Sequence, residues 1–202
     1  MRRVTAPGKL VLLGEYAVLE GAPAVVAAID RGVVCEITPS EAVEIETPGD
    51  DRYVRVALRE APPGRYQFRD ARPIEGLATK PGFGGSAAAT VAACVAAGKP
   101  ATEAFGVHSK VQGGGSGIDV YASAFGGVRA FSIGASRAPS ALLECPPMVA
   151  VWSGKSAATG PRIRQFLAWP QRAAFVRASG LLAGAFRREP FGAMREAYAR
   201  LK

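Results

Sequence analysis

The 202-residue sequence is poor in the residue types from which many protein sites are built. It contains one histidine and three cysteines, and Cys35, Cys94 and Cys145 lie far apart with no C-x-x-C pair among them. Structural zinc sites and dithiol redox sites usually need closely spaced ligands, so this composition argues against both. We predict three buried thiols in a reducing compartment.

Long apolar runs are also missing from the sequence. The apolar stretch at residues 10–13 meets Glu15 too early to form the apolar core of a signal peptide. No later stretch approaches the roughly 18 consecutive apolar residues of a membrane-spanning helix. We therefore expect a soluble, cytoplasmic protein without a membrane partner.

Positive charge exceeds negative charge. Lysine and arginine together number 25 against 17 acidic residues, which gives a formal net charge of +8 at pH 7. Such an excess attracts anionic partners at long range. The arginines between Arg162 and Arg200 are dispersed among apolar residues, which favours solvated helix faces over a nucleic-acid surface. We expect the anion to be a nucleotide or a phosphorylated metabolite, and we do not expect nucleic acid.

The hydrophobic pattern predicts an α+β protein. Short β-rich runs between Gly, Pro and Asp predict strands at residues 9–13, 24–29, 33–38, 43–47, 53–58, 66–68, 128–133 and 148–152. The spacing of the early strands favours antiparallel pairing. Helical periodicity predicts helices at 87–97, at 118–125 and from Arg162 onward, with interruptions near Pro170 and Pro190.

The most specific motif is a glycine-rich stretch directly before a predicted helix. It reads Pro81-Gly82-Phe83-Gly84-Gly85-Ser86-Ala87-Ala88. Closely spaced glycines allow backbone N–H groups to converge on an anion, and the N-terminus of the following helix carries partial positive charge. The stretch therefore predicts a phosphate-binding loop.

The loop has three other possible interpretations. It is not a Walker A loop, because no Lys-Ser/Thr pair follows its last glycine. It does fit the dinucleotide pattern G-x-G-x-x-A, with Glu103 about twenty residues further on. Pro81 and the interrupted apolar pattern before it do not suit the buried parallel strand that this pattern requires. A purely structural glycine turn is the third alternative.

Two charged residues suit phosphoryl transfer. Lys9 follows a Pro-Gly pair, interpreted as a turn, and from there an ammonium could reach a phosphate or polarise a hydroxyl. Asp119 follows a Ser-Gly pair at a predicted helix start, where a carboxylate could accept a proton from a substrate hydroxyl. Alternatively, Lys9 is a surface charge and Asp119 only favours the helix start. His108, the single histidine, is interpreted as a packed or surface residue.

Three stretches, taken in order, resemble the motifs of the GHMP kinase family. Residues 6–21 resemble its N-terminal motif, residues 81–90 its phosphate loop, and residues 112–127 its later S-G-x-D segment. Within the family, the runs G-E-Y-A-V-L and Q-G-G-G-S-G-I-D-V and residues 151–159 look most like the members that act on phosphomevalonate. Members that act on mevalonate typically have His where this chain has Tyr16.

The resemblance implies ATP-dependent γ-phosphoryl transfer to phosphomevalonate, a small phosphorylated substrate, with mevalonate or a sugar as alternative acceptors. It makes Lys9 and Asp119 the catalytic residues and Ser86 the contact to Mg²⁺. The implied ATP phosphate loop consists of Gly82, Gly84, Gly85, Ser86, Ala87 and Ala88. The implied substrate contacts are Glu15, Tyr16, Ser116, Lys155 and Ser156.

The resemblance also implies a two-lobed fold with a mixed or antiparallel sheet. Residues 1–146 would form the nucleotide-binding lobe and residues 147–202 an abbreviated C-terminal lobe, with the active site between them. Family members are usually longer and carry a third glycine-rich motif, which nothing after Gly160 resembles. A compact variant, a fragment and a catalytically silent nucleotide-binding or regulatory protein are therefore alternatives. No glutamate aligns with the magnesium ligand of mevalonate-specific members, so we expect Mg²⁺ to be bound by Ser86 and the nucleotide alone.

Overall fold

A computed structural model describes residues 1–73, 82–134, 138–152, 154 and 159–200. Within these ranges the strands are β1 (Arg2–Leu13), β2 (Ala24–Thr38), β3 (Val43–Glu46), β4 (Gly64–Asp70) and β5 (Val128–Phe131). The helices are α1 (Arg52–Ala57), α2 (Gly85–Ala96), α3 (Glu103–Gln112), α4 (Ile118–Phe125), α5 (Thr159–Leu167), α6 (Arg172–Ala185) and α7 (Pro190–Arg200). A short 3-10 helix, Ala17–Glu20, lies between β1 and β2.

The strands form one mixed sheet. Its order is β1-β2-β4-β3, and β5 pairs with the beginning of β2. β4 and β5 run antiparallel to β2, in a register that places Cys35 opposite Phe68 and Ala24 opposite Phe131. β3 runs parallel to β4. The predicted α+β class with a mixed sheet is confirmed, and antiparallel pairing was the right expectation for β2 with β4.

The chain divides into two compact units that are interleaved in sequence. The first comprises residues 1–10, 28–76 and 83–126, and the second residues 11–27, 77–82 and 127–202. In the first unit, the alanine-rich face of α2 packs against α1, α3 and α4. Its small side chains, including Ala87, Ala92 and Cys94, are fully buried, because alanine lets neighbouring helices approach closely.

The second unit has a smaller core of its own. Leu13 and Val25 from β1 and β2 pack with Ala183, Phe186 and Ala193 from the C-terminal helices. The predicted lobes, residues 1–146 and 147–202, are each continuous in sequence. The two compact units are not, since residues 11–27 belong to the same unit as the C-terminal part. The lobe boundary near residue 147 stays a prediction.

The strand predicted at residues 53–58 is wrong, because the structure has α1 there. The strand was predicted because this short run is rich in residues that favour β-structure, such as Tyr53, Val54 and Val56. The side chains that become buried are Val54, Ala57 and Leu58, whose spacing of three and four is helical. Arg55 also pairs with Asp51 one turn earlier at 2.6 Å, a contact that suits a helix surface.

Two further expectations need correction. Residues 148–152 form no regular strand, and Val149 and Val151 are both 89% exposed. An extended segment becomes a strand only by pairing, and none of the described strands pairs with it. The Pro7-Gly8 pair is not a turn, because it lies inside β1.

Helix starts in the first unit agree with the sequence analysis. α4 has the predicted bounds, and α2 begins at Gly85, two residues before the predicted start. Both helices are preceded by a glycine with positive φ, 74° at Gly84 and 78° at Gly117. Among the described residues, no helix combines the length and the apolar character needed to cross a membrane.

Candidate active site

Lys9 is placed by a close approach of two strands. A β-carbon on Gly8 would lie 2.4 Å from the Arg31 carbonyl oxygen, and one on Gly32 would lie 2.1 Å from the Ala6 carbonyl oxygen. Neither distance leaves room for a side chain, so glycine at both positions lets β1 and β2 approach. The strand then delivers Lys9 to the glycine loop, where its N–H donates to the Phe83 carbonyl oxygen at 2.9 Å.

The glycine loop ends in an uncapped helix start. Gly84 occupies the N-cap of α2 in a left-handed conformation, and no side chain makes a capping hydrogen bond. The first N–H groups of a helix have no acceptor within the helix. A β-carbon added to Gly85 would meet nothing within 4 Å, so the space beside Gly85 is open. This arrangement can bind a phosphate.

Lys9 and Asp119 form an ion pair beside this loop. Lys9 Nζ lies 3.0 Å from Asp119 Oδ1, with the two side chains 19% and 34% exposed. The stem of Lys9 crosses Gly84, where an added β-carbon would lie 2.8 Å from Lys9 Cγ. Both residues were predicted to be catalytic, and 110 positions separate them in the sequence. The structure brings them together, and their chemical roles stay predictions.

Ser86 and His108 form a second polar pair in the first unit. Ser86 Oγ lies 3.2 Å from His108 Nε2, and Thr90 Oγ1 donates to the Ser86 carbonyl oxygen at 2.7 Å. Burial lowers the pKa of His108, and the nearby Asp119 carboxylate opposes that shift. Burial therefore favours the neutral form of the imidazole. Ser86 itself is exposed, which leaves its hydroxyl accessible.

The donor set fits a magnesium ion that arrives with a nucleotide. Among the described residues, no group of three or more His, Cys, Asp or Glu side chains could hold a metal ion. Mg²⁺ prefers oxygen ligands and in nucleotide sites usually relies on substrate phosphates with one or two protein oxygens. The exposed Ser86 hydroxyl at the helix start is one such oxygen.

The remaining predicted contacts are distributed more widely. Ser116 Oγ accepts the Ile118 N–H at 3.4 Å, so this hydroxyl supports the start of α4. Glu15 and Tyr16 belong to the second unit, where Tyr16 has a φ of 60° and stacks on Phe166 at 5.6 Å between ring centroids. Lys155 and Ser156 lie outside the described residues.

His108 is the residue that the sequence analysis undervalued. It was expected to be a packed or surface residue, and it is indeed buried, at 5% exposure. It also contacts Ser86, and its ring lies 5.0 Å from the ring of Tyr53 with the ring planes tilted by 30°. No motif marks it, because its partners come from α1 and α2. The only available signal was that a single histidine lies shortly before the stretch that carries Asp119.

Comparison with solved structures identifies the fold. Mevalonate kinase from Methanococcus jannaschii matches over 99% of this chain and 78% of its own, with a TM-score of 0.74 at 14% identity. Phosphomevalonate kinase from Streptococcus pneumoniae, in complex with phosphomevalonate and AMPPNP, matches over 98% and 78%, with a TM-score of 0.74 at 17% identity. The chain has the GHMP kinase fold. The resemblance seen in the sequence is thereby confirmed at the level of the fold.

The sequence match to a curated protein covers less of the chain than the structural matches do. The chain is 30% identical to a mevalonate kinase from Methanothermobacter thermautotrophicus, over 61% of this chain and 48% of that protein. It thus spans about half the length of the curated relative it matches. No protein-family profile matches the sequence.

Proposed function

We propose that this chain is an ATP-dependent small-molecule kinase of the GHMP type that acts in the mevalonate pathway, with phosphomevalonate as its acceptor. The observation that carries the proposal is the Lys9–Asp119 pair, which lies beside the uncapped start of α2. Phosphoryl transfer mainly needs charge neutralisation and in-line positioning. A helix N-terminus, an ammonium and a carboxylate at one place supply both.

The support for the pathway comes from the relatives. The curated sequence relative is a mevalonate kinase, and one structural neighbour was solved with phosphomevalonate and AMPPNP. The choice of phosphomevalonate over mevalonate rests on the sequence, which has Tyr16 in the G-E-Y-A-V-L run and the glycine-rich run before Asp119.

Each residue of the site has a separate task in this proposal. The N–H groups at Gly85, Ser86 and Ala87 bind the nucleotide phosphates, and the Ser86 hydroxyl adds an oxygen ligand next to them. Lys9 neutralises negative charge that develops on the acceptor and on the transferred group. Mg²⁺, when bound with the nucleotide at Ser86, supplies further positive charge at the phosphates.

The task of Asp119 depends on the acceptor. A bond forms from the acceptor oxygen to the γ-phosphorus, and the bond from that phosphorus to the β–γ bridging oxygen breaks, which releases ADP. An alcohol such as mevalonate must lose a proton, and Asp119 can receive it. A phosphate monoester has a second pKa of about 6, so most of the acceptor has no proton left to lose at pH 7. With phosphomevalonate, Asp119 mainly orients Lys9.

The experiment is a coupled assay of ADP release with wild type and Asp119→Asn, on phosphomevalonate, mevalonate and a sugar panel. We expect the wild type to turn over phosphomevalonate best. The variant should lose roughly 10²–10⁴-fold in kcat on any alcohol acceptor and less on phosphomevalonate. If Asp119 only supports its helix, Asn will cost almost nothing on either acceptor, because Asn is itself favoured at helix starts.

Mevalonate is the second candidate acceptor, and the curated relative favours it. A higher kcat/KM for mevalonate than for phosphomevalonate would establish it. Nucleotide binding without turnover on any acceptor would contradict both candidates and would indicate a silent nucleotide-binding protein.

A further inference from the structure

Ser86 presents an exposed hydroxyl at the start of α2, and its hydrogen-bond partner is a buried ring. His108 is 5% exposed and lies on α3, with its Nε2 3.2 Å from Ser86 Oγ. A serine hydroxyl rotates freely about its C–O bond, and its side chain has several rotamers. A fixed partner on a neighbouring helix removes much of that freedom, so His108 is placed to choose the direction of the hydroxyl.

The imidazole is itself held in place. The ring of Tyr53 on α1 lies 5.0 Å from the ring of His108, with 30° between the ring planes. α3 packs against both α1 and α2. The backbone of Ser86 makes a further hydrogen bond within α2, because Thr90 Oγ1 donates to the Ser86 carbonyl oxygen. The His108 end of the hydrogen bond is therefore held in the interior of the first unit, and the Ser86 end lies at its surface.

In either direction of this hydrogen bond, the Ser86 hydroxyl can still bind a phosphate or the cation that accompanies it. If the hydroxyl donates to Nε2, the oxygen lone pairs that remain can ligate a cation that accompanies a phosphate. If Nε2–H donates to the hydroxyl oxygen, the hydroxyl hydrogen remains available to a phosphate oxygen.

We propose that His108 is a positioning residue for nucleotide binding, which orients the Ser86 hydroxyl toward the phosphates at the start of α2. The inference rests on the proposed function for the identity of the ligand. It assigns His108 no contact with ATP, so all of its effect should pass through Ser86.

A double-mutant cycle on ATP affinity tests this dependence. The variants are Ser86→Ala, His108→Leu and the two combined, with the dissociation constant of Mg·ATP measured by calorimetry. Each single variant should weaken binding about tenfold, as expected for one hydrogen bond to a charged ligand. The double variant should bind no more weakly than Ser86→Ala alone, because residues that act through one another are not additive. Additive losses, or unchanged affinity in His108→Leu, would overturn the proposal.

Two controls separate positioning from a structural role. His108→Gln keeps an amide that can reach Ser86, so it should recover part of the lost affinity, and recovery no better than that of Leu would count against the proposal. Val54→Ala removes a fully buried contact on α1. It should lower the melting temperature without the loss of affinity seen in His108→Leu. An equal loss in Val54→Ala would assign the effect to destabilisation and overturn the proposal.

The outcomes also separate this inference from the proposed function. A wild type that binds ATP but turns over no acceptor contradicts the kinase, while the binding cycle still decides the role of His108. A wild type that binds no ATP overturns both. Normal turnover together with additive losses in the double-mutant cycle would support the kinase and contradict the role proposed for His108.

Discussion

The start of α2 in the first unit and the C-terminal helices of the second unit are built under different constraints. Around the glycine loop, three glycines stand where a β-carbon would come within 3.0 Å of other atoms: Gly8, Gly32 and Gly84. On α6 and α7, by contrast, large apolar side chains are exposed, with Leu181 at 77% and Phe191 at 54%. Gly184 on α6 has open space where a β-carbon would stand.

This difference shows at which positions the structure requires a particular residue. In the first unit, tight backbone contacts and polar pairs fix the positions of Lys9, Ser86 and Asp119. In the second unit, the described helices need an amphipathic pattern and a few small buried residues such as Ala183 and Ala193. Substitutions should therefore have larger and more specific effects near the glycine loop.

With phosphomevalonate as acceptor, the largest effect is expected from Lys9→Met, which keeps the stem over Gly84 and removes the ammonium. The loss of one preorganised cation at the transferred group should lower kcat/KM about 10²–10³-fold. Stability should change little, because a partly exposed ion pair contributes only about 0–1 kcal/mol. The matched control is Lys110→Met on the exposed side of α3. Equal activity in the two variants would show that the Lys9 charge has no catalytic role.

The next largest effect is expected on stability, from alanine at two glycines. Gly8→Ala places a methyl group 2.4 Å from a backbone oxygen. Overpacking of this kind costs about 1–3 kcal/mol in the free energy of unfolding. Gly184→Ala, at an exposed position in the last turn of α6, should instead stabilise by less than about 1 kcal/mol. Urea unfolding measures both, and a neutral Gly8→Ala would contradict the close approach of β1 and β2.

A smaller effect is expected from Ser86→Ala on nucleotide affinity alone. The variant removes one hydrogen-bonding group for a charged ligand, so the dissociation constant for Mg·ATP should rise about tenfold. The melting temperature without ATP should stay close to that of the wild type, because Ser86 is exposed. Unchanged affinity would show that the backbone N–H groups of α2 bind the nucleotide without this hydroxyl.

The smallest effect concerns thiol reactivity and compares the two units directly. Burial raises the pKa of Cys35 to about 12 and that of Cys94 to about 11, and both lie in the core of the first unit. Cys145 in the second unit is half-buried, and burial raises its pKa as well. Thiolates are the reactive form, so alkylation of the folded protein at pH 8 should modify Cys145 first. Mass spectrometry that finds Cys35 modified as fast would indicate an open first unit.

Sequence reasoning succeeded where local chemistry decides local structure. The glycine loop, the start of α2 and the bounds of α4 follow from glycines and helical periodicity within a few residues. It failed at α1, where Tyr53, Val54 and Val56 favour β-structure and only burial reveals the helical face. It failed again at residues 148–152, because a strand needs a partner that composition does not provide.

The polar contacts of the site lay beyond local reasoning. Lys9 and Asp119 were assigned as catalytic residues through the resemblance to GHMP kinases, and their ion pair could not be predicted from their spacing. His108 was missed because its contacts to Ser86 and Tyr53 depend on how α1, α2 and α3 pack. Side-chain pairs between distant segments become visible only once the fold is known.

The most direct test of the central claim is ³¹P NMR of the purified chain with Mg·ATP and phosphomevalonate, next to a sample of Lys9→Met. The claim predicts that the wild type converts the phosphate signal of the acceptor into a diphosphate pair, with ADP appearing at the same rate. The variant should give the same products far more slowly. Unchanged spectra with the wild type, at concentrations where ATP is shown to bind, would contradict the claim.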